Sequence, residues 1–170
     1  RSTPKPSSAA SDVYKRQEHM SKIRSLQERS LSSGHPGFTS FISWPVMLEN
    51  NALGKIGIRR GLTNLGAGSV EYLRHVSVSR LFMSNIAHIQ ASWPTMGLKV
   101  AQIALTAGAD DIGSTMMEEN VVSASGTTKT MATISELKES ILNCGFTPAR
   151  RDSDYNILDI YEEGEYQLQV

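Results

Sequence analysis

The chain has 170 residues, 39% of them hydrophobic and 20% charged, a composition typical of one globular domain with its own core. Its 17 basic residues balance its 17 acidic residues. A net charge of zero excludes a long-range electrostatic attraction to nucleic acid or anionic lipid. No local cluster of basic residues is large enough to bind such a partner by itself. No apolar run reaches the ~18 residues of a membrane span and no secretory signal is present, so the sequence predicts a cytoplasmic location.

Residues 1–17 differ in composition from the rest of the chain. They are rich in Ser, Pro and Ala and show no helical or strand period, which is typical of a disordered tail. Their run SSAASDVYKRQ also resembles a translated sequencing adaptor. Both interpretations place a boundary after residue 17 and exclude the segment from the fold.

The next part of the chain alternates between helical and strand patterns. Residues 19–31 predict an amphipathic helix, and the aromatic, β-branched residues 37–44 predict a buried strand. Residues 50–68 predict a long glycine-rich loop, whose basic residues either meet an anionic ligand or are solvated. Ser69 is a candidate N-cap for a helix that reaches about Asn85.

Strands and helices continue to alternate in the C-terminal part. Thr133 and Glu136 form a capping-box pattern at the start of a helix that stops at Gly145. Cys144 lies on the apolar stripe of this helix, and we interpret it as a core residue rather than a catalytic thiol. The other predicted elements are a strand at 86–93, a helix at 96–107, a strand at 109–115, a loop or irregular turn at 116–125 and a strand at 146–151.

The predicted fold class is α/β. Strands spaced as βαβ crossovers require imply a parallel sheet. About four βα units that begin with a helix, without a GxGxxG or GxxxxGK[ST] motif, favour the C-terminal half of a β/α (TIM-like) barrel over a nucleotide-binding fold. We assign residues 18–152 to this partial barrel and residues 153–170 to a tail that is a candidate hairpin.

Polar and aromatic residues follow the predicted strands at the edge where barrel enzymes place their chemistry. We expect these residues to gather at the barrel mouth: Trp44, Gln90, Ser92, Trp93, Asp111, Ser114, Glu118, Glu119 and Asn120. His75 and His88 have no second ligand at metal spacing, so we predict no metal site in this chain.

Four ordered blocks carry a family resemblance: FISWP at 41–45, EYLR…VSRL at 71–81, NIAHIQASW at 85–93 and GADDIGSTMMEENVVSASG at 108–126. They resemble the C-terminal half of the cyclic dehypoxanthinyl futalosine synthases, which are radical S-adenosylmethionine enzymes of menaquinone biosynthesis. The resemblance covers residues 18–151. Aminofutalosine synthase and the deazaflavin-cofactor (F420) synthases are alternatives, and a non-catalytic half-barrel that dimerises or binds a partner is an alternative of another class.

The resemblance implies a cofactor set that this chain does not complete. Family members carry an upstream CxxxCxxC motif for a [4Fe-4S] cluster that binds S-adenosylmethionine. Such a cluster needs three thiolates, whereas Cys144 is the one cysteine of the sequence. We therefore expect a truncated reading frame whose isolated product binds neither cofactor and is inactive. Its exposed strand edges predict self-association.

The resemblance also implies roles for the mouth residues toward the small molecule dehypoxanthine futalosine. Gln90, Ser92 and Asp111 suit hydroxyl binding, and Trp44 or Trp93 suits stacking. Each has a structural alternative, which is packing for Trp93 and a strand-end role for Asp111. One of Glu118 and Glu119 is a candidate general base, with a solvated turn as the alternative.

The sequence departs from the family pattern at two places, so the resemblance does not define the loop that would cover the substrate. PVMLENN stands at 45–51 where the family has a run like PFQPGNT, and Leu98 stands where proline is usual.

Overall fold

The structure, a computed structural model, describes residues 8–46, 52–59, 67–115 and 131–161. In chain order the elements are α1 (Ser8–Ser32), β1 (Ser40–Ile42), α2 (Ala52–Arg59), α3 (Ser69–Phe82), β2 (His88–Gln90), α4 (Trp93–Met96), α5 (Leu98–Thr106), α6 (Ile134–Leu142), β3 (Ala149–Arg151) and β4 (Ile157–Ile160). Within these ranges no helix is long and apolar enough to cross a membrane.

A small parallel sheet organises the fold. β1 pairs with β2 in parallel, with Phe41 opposite Ile89 and Ile42 opposite Gln90. A single parallel bridge joins Gln90 to Asp111, so the predicted strand at 109–115 is reduced to one bridged residue. The structure thus has the α/β character and the parallel pairing that the sequence predicted, over much shorter strands.

The two faces of this sheet differ in chemistry because side chains alternate along a strand. One face, here called the helix face, carries Phe41, Ile89 and Ile112; Ile89 and Ile112 are buried, and Phe41 packs against the same core. The other face, here called the open face, carries Ser40, Ile42, His88, Gln90 and Asp111 by the same alternation and register. The helices therefore cover an apolar surface and leave a largely polar one uncovered.

The core lies between the helix face and helices α3 and α5. Val76 of α3 and Ala101 and Ala104 of α5 are almost fully buried. Small alanines allow helix and sheet to approach closely, and the larger buried side chains fill the remaining space. The remaining fully or nearly buried apolar residues are Met20, Tyr72, Met83, Ile86, Ile89, Ala91, Trp93, Leu105, Ala109, Ile112, Ala132 and Leu137.

Helix α1 is joined to the sheet layer by polar side chains. The amide of Gln27, a residue only 3% exposed, accepts from the Phe38 N–H at 2.6 Å and donates to the Phe38 carbonyl at 3.3 Å. Arg24 donates to the Phe82 carbonyl at 2.9 Å at the C-terminal end of α3, where a cation also complements the helix dipole. These bonds hold the chain that leads into β1.

Several predicted boundaries are corrected at the N-terminal side. α1 begins at Ser8, inside the segment that the sequence predicted to be disordered; residues 1–7 lie outside the described ranges. α2 occupies residues that were predicted as loop. The N-cap of α3 is Gly68 rather than Ser69. β1 is only half-buried, and Ile42 on its open face is 38% exposed.

The C-terminal strands are also corrected. The predicted strand at 146–151 exists as β3, but it pairs antiparallel with β4 and not with the parallel sheet. We call β3 and β4 together the C-terminal ribbon. The chain reverses at Asp152, which accepts hydrogen bonds from the Asp154 and Asn156 N–H groups, both at 2.9 Å. Residues 162–170, the second half of the candidate tail hairpin, lie outside the described ranges.

Helix α6 begins as the sequence predicts. The Thr133 hydroxyl accepts from the Glu136 N–H at 3.2 Å, and the Glu136 carboxylate accepts from the Thr133 N–H at 2.8 Å. This reciprocal capping box satisfies two N–H groups that the helix itself leaves without partners. Gly145, with φ 76°, follows the helix end in the left-handed region that glycine tolerates best.

Thr133→Ala is expected to lower the free energy of unfolding by about 1 kcal/mol, because the Glu136 N–H loses its acceptor. Thr133→Ser keeps the hydroxyl and is the matched control. Urea unfolding of the three chains measures the effect. Equal midpoints for Thr133→Ala and the unchanged chain would contradict the assigned cap.

Candidate active site

Three residues form a row across the carboxyl ends of the sheet, here called the strand-end row. Ile42 is opposite Gln90, and Gln90 is bridged to Asp111. All three lie on the open face, at the edge where parallel α/β sheets and barrels place their ligands. The structure therefore brings Gln90 and Asp111 together as the sequence predicted.

Gln90 has a side chain confined by the neighbouring turn. Gly113 has φ 84°, and a β-carbon there would lie 2.6 Å from the Gln90 Nε2 atom. Any other residue at 113 would displace the amide. Glycine therefore suits this position through its positive φ, and a larger residue would also have to move the flexible end of the Gln90 side chain.

Asp111 is held by two partners. Arg151 of β3 donates to Asp111 Oδ2 through Nε at 2.9 Å and through Nη2. Asp111 Oδ1 accepts from the Gly113 N–H at 2.5 Å. The carboxylate is 9% exposed and the Arg151 side chain 27%, so water screens this pair less than a surface pair. This supports the strand-end structural role for Asp111 over free hydroxyl binding.

Ser92 and Trp93 are buried rather than open to the mouth. Their exposed fractions are 1% and 2%. The Trp93 Nε1–H donates to the Ser114 carbonyl at 3.0 Å, and the Ser92 hydroxyl lies 2.7 Å from that of Thr95. These contacts favour the packing alternative for Trp93. The predicted strand at 86–93 ends early because Trp93 begins α4, with Pro94 in its first turn.

Tyr72 of α3 supports the same turn from below. Its hydroxyl accepts from the Ser92 N–H at 2.7 Å. Burial raises the pKa of Tyr72 above its ordinary value of 10.0, and the Ser92 hydrogen bond partly opposes the rise. The neutral phenol is therefore the form that the folded chain prefers.

The remaining predicted residues fall into two groups. Trp44, just beyond β1, is 56% exposed, and Ser114 is exposed on the turn after Asp111. Glu118, Glu119 and Asn120 lie outside the described residues, as does the whole of the predicted loop at 116–125.

An aromatic side chain that the sequence did not single out lies against the open face. The Tyr155 ring stacks on His88, with 3.8 Å between ring centroids and 8° between planes. The Arg151 guanidinium lies 4.1 Å from the centroid of the Tyr155 ring. Burial raises the pKa of Tyr155 above 10.0, a hydrogen bond with Ser40 opposes this, and Asp111 adds to it.

Asp110 closes this arrangement from the other side. Its Oδ2 lies 2.6 Å from His88 Nδ1, and its Oδ1 accepts from the Ile89 N–H at 2.7 Å and from Arg80. The two consecutive aspartates thus bind different cations, Arg80 and Arg151. No local motif signals Arg151 or Tyr155, since Arg151 is 40 residues from Asp111.

A cleft of ≈ 740 Å³ opens between residues 109–115, α6 and the C-terminal ribbon. Its volume is in the range of ligand pockets. Apolar side chains such as Ile112, Leu137 and Ile141 line one part, and Asp111, Arg151 and Tyr155 line another. Of the predicted mouth residues it includes Asp111 and Ser114, but not Trp44, Gln90, Ser92 or Trp93.

The described residues do not fit a metal or cluster site. Among them no group of three or more His, Cys, Asp and Glu side chains converges. Cys144 is half-buried, and its thiol donates to the Gln102 carbonyl at 3.1 Å. A [4Fe-4S] cluster with one open iron needs three thiolates, so this donor set does not match it.

The fold places the chain in the class of parallel α/β proteins. Its parallel sheet has an apolar helix face and a polar open face, and α/β folds in general bind their ligands at the carboxyl ends of the strands. A family model described as the CofH/MqnC C-terminal region matches residues 35–164. The chain belongs to this family, which confirms the resemblance seen in the sequence.

The chain is similar to curated proteins of two different names. The chain is 39% identical over 147 residues to the cyclic dehypoxanthine futalosine synthase of Halalkalibacterium halodurans, covering 86% of this chain and 36% of that protein. It is 40% identical over 146 residues to the protein of the same name from Streptomyces coelicolor, covering 86% and 33%.

The second group is represented by the 5-amino-6-(D-ribitylamino)uracil--L-tyrosine 4-hydroxyphenyl transferase of Methanothermobacter thermautotrophicus. The identity is 37% over 146 residues, covering 85% of this chain and 37% of that protein. The chain therefore spans about a third of the length of the curated relatives it matches.

Gly113→Ala is expected to destabilise the chain and to shift the side-chain amide resonances of Gln90 in an NMR spectrum. Gly145→Ala is the matched control, because Gly145 also has a positive φ but has open space around its missing β-carbon. Both variants share a backbone cost of roughly 1 kcal/mol. Only Gly113→Ala should add the clash with Gln90. Unchanged Gln90 resonances in Gly113→Ala would contradict the contact.

Tyr72→Phe is expected to cost about 1–3 kcal/mol, because the buried Ser92 N–H loses its acceptor. The effect on pH dependence has a defined sign. The folded-state pKa of Tyr72 is raised, so its contribution is complete below the unfolded-state pKa of about 10 and is lost as pH rises through the folded-state pKa.

Unfolding free energies measured from pH 9 upward test this dependence. The unchanged chain and the control Tyr161→Phe should lose the Tyr72 contribution at alkaline pH, and Tyr72→Phe should lack that loss. The same alkaline slope in all three chains would exclude the assignment.

Proposed function

We propose that the chain is the C-terminal part of a radical S-adenosylmethionine enzyme that cyclises dehypoxanthine futalosine in menaquinone biosynthesis. The observation that carries the proposal is the strand-end row at the carboxyl edge of a sheet, in a chain that is similar to two synthases of that name. Their identities are 39% and 40%, against 37% for the transferase described above. The proposal for the whole enzyme extends beyond the third of the relatives that this chain spans.

In this proposal the described residues bind and orient the substrate. The Gln90 amide both donates and accepts hydrogen bonds, which suits sugar hydroxyl groups. The exposed Trp44 ring offers an apolar face to an aromatic group. Ser92, Trp93 and Tyr72 hold the turn after β2 and keep water out of the layer beneath the row.

The charged residues have separate parts. Arg151 neutralises the Asp111 carboxylate. The turn from Asp111 to Ser114 therefore adds no free negative charge to the site. One of Glu118 and Glu119 keeps the proposed role of a general base that accepts the proton released when aromaticity is restored. Asn120 keeps its proposed place among the substrate-binding groups.

The [4Fe-4S] cluster and S-adenosylmethionine belong to the proposed full-length enzyme. Together they supply the radical chemistry there. Because the donor set of this chain does not fit the cluster, we propose that both are held by a part of the enzyme that this chain does not include. The isolated chain is then proposed to be inactive.

Two other functions have specific support. The 37% identity to the tyrosine 4-hydroxyphenyl transferase favours that reaction as a second candidate. A non-catalytic module that associates through its sheet edge is the third, because within the described residues β1 pairs only with β2 and its outer edge is open.

A pair of chimeras separates these candidates. Residues 35–164 of this chain replace the matched region of the Halalkalibacterium halodurans synthase in one chimera and of the Methanothermobacter thermautotrophicus transferase in the other. Each is assayed for its parent's reaction, after its iron content and melting temperature show that it is folded and loaded. We expect the synthase chimera to convert dehypoxanthine futalosine and the transferase chimera to be inactive.

Gln90→Leu in the synthase chimera should lower kcat/KM about tenfold or more, because a substrate hydroxyl loses its partner. Gln102→Leu, on α5, is the matched control and should change little. Activity of the transferase chimera alone would favour the second candidate. Two folded, loaded and inactive chimeras would favour the non-catalytic module.

A further inference from the structure

Tyr155 has a backbone conformation that other residue types would adopt more easily. Among the described residues it is the only non-glycine residue with a positive φ, at 66°. An L-residue in this left-handed region costs roughly 1–2 kcal/mol. Such strain persists where the surroundings over-determine it, often at functional sites. The position therefore requires the tyrosine side chain for a reason other than backbone preference.

The turn around Tyr155 is built to hold this conformation. Asp152 Oδ2 accepts from the Asn156 side-chain amide at 2.9 Å, in addition to the two N–H groups bound by Oδ1. The Asp152 N–H donates to the Asn156 carbonyl at 3.0 Å. These bonds close the loop between β3 and β4 and lower the pKa of Asp152, chiefly through Asn156. Tyr155 is thus presented toward the sheet by a preformed loop.

The ring completes a closed chain of contacts on the open face. Its two neighbours are His88 on one side and the Arg151 guanidinium on the other. His88 is bound to Asp110 and Arg151 to Asp111. This series of contacts therefore begins at Asp110 and ends at Asp111, two consecutive residues of the segment that carries the site.

The register places this ring directly below the strand-end row. His88 precedes Gln90 by one side-chain repeat on the same face of β2, and Ser40 lies opposite His88 on β1. Tyr155 contacts His88 and shares a hydrogen bond with Ser40. On the open face, its ring consequently lies one side-chain repeat before Ile42 and Gln90 along the strands.

We propose that Tyr155 is a positioning residue of the candidate active site: it holds the Arg151 guanidinium in the orientation that fixes Asp111 and the Asp111–Gly113 turn against Gln90. Tyr155 acts through Arg151 and does not itself touch the substrate. The inference rests on the proposed function in one respect, since the positioned row is the proposed substrate site. The contact geometry itself is independent of that function.

The chain supplies a matched control for this role. Arg150 and Arg151 are adjacent in β3, at the point where its pairing with β4 is irregular. Arg151 contacts Tyr155 and Asp111, whereas Arg150 is exposed and has neither contact. The same substitution at the two positions separates loss of a positive charge from loss of this particular contact.

The deciding experiment uses the full chain and NMR. The Gly113 amide proton reports the hydrogen bond to Asp111 Oδ1. Tyr155→Leu and Arg151→Met are expected to shift this resonance, and Arg150→Met is expected to leave it in place. Tyr155→Phe keeps the ring but removes the hydroxyl that accepts from Arg151 Nη2 at 3.4 Å, so it is expected to cause a smaller shift than Tyr155→Leu. Tyr155→Asn adds a test of strain, because asparagine tolerates a positive φ. It should shift the Gly113 resonance even if it unfolds at a higher temperature than the unchanged chain.

A second readout follows the Tyr155 phenol in chains labelled with 13C at tyrosine Cζ. Asp111→Asn should lower the Tyr155 pKa and Arg151→Met should raise it, because Asp111 raises and Arg151 lowers this pKa. Arg150→Met should change neither the Tyr155 titration nor the Gly113 shift. A Gly113 resonance that stays in place in Tyr155→Leu, or equal effects of Arg150→Met and Arg151→Met on both readouts, would overturn the proposal.

The synthase chimera adds the catalytic readout. Tyr155→Leu should raise KM about tenfold or more with a smaller change in kcat. Tyr155→Phe, which keeps the ring, should have a KM much closer to that of the unchanged chimera. An inactive but folded chimera would count against the proposed function alone, since the NMR readouts on the full chain still decide the role of Tyr155. An active chimera with unchanged KM in Tyr155→Leu would overturn the positioning role itself.

Discussion

The ion pair between Asp111 and Arg151 is the interaction on which the arrangement of the site depends. Within the described residues the parallel sheet and the C-terminal ribbon are separate sheets. Arg151 crosses between them and binds the last bridged residue of the parallel sheet. Because the Asp111 carboxylate is 9% exposed, loss of the arginine would leave a mostly buried charge without its partner, which is costly.

The division of the sheet into two faces connects fold to function. Apolar residues on the helix face supply the burial that stabilises the domain, so the open face is free to carry polar groups. There, Asp111 is bound by Arg151, and His88 is bound by Asp110 and stacked on by Tyr155. Side chains held in this way keep their geometry without a bound ligand, and such preorganisation is what a binding site requires.

The sequence predicted features that arise from local chemistry. The capping box at Thr133 and the glycine after α6 depend on neighbours within a few residues, and both are present in the structure. Helix α5 also forms as predicted, and it buries Ala101, Ala104 and Leu105. The lengths of the strands were overestimated. An aromatic and β-branched run such as 37–44 shows that a strand is present, but it does not show at which residue the strand pairing ends. Trp93 was placed at the mouth because it follows a strand, but its indole N–H turns to the Ser114 carbonyl.

Arg151 and Tyr155 escaped prediction for a different reason. Their partners lie on other elements, and the ribbon that carries them reverses at a turn formed by Asp152 and Asn156 rather than continuing as a parallel strand. Only the spacing of Asp152 and Asn156 gives a local signal for that reversal. Residues 116–130, which include Glu118, Glu119 and Asn120, lie outside the described ranges, so the proposed base remains a prediction from the sequence.

A double-mutant cycle between Asp111 and Arg151 tests most directly whether this ion pair joins the ribbon to the site. Urea unfolding of the unchanged chain, Asp111→Asn, Arg151→Met and the double variant gives the coupling free energy. The account predicts a favourable coupling of about 1–3 kcal/mol, the range of residues in direct contact. Single-variant effects that add to within about 0.5 kcal/mol, the behaviour of independent sites, would contradict it.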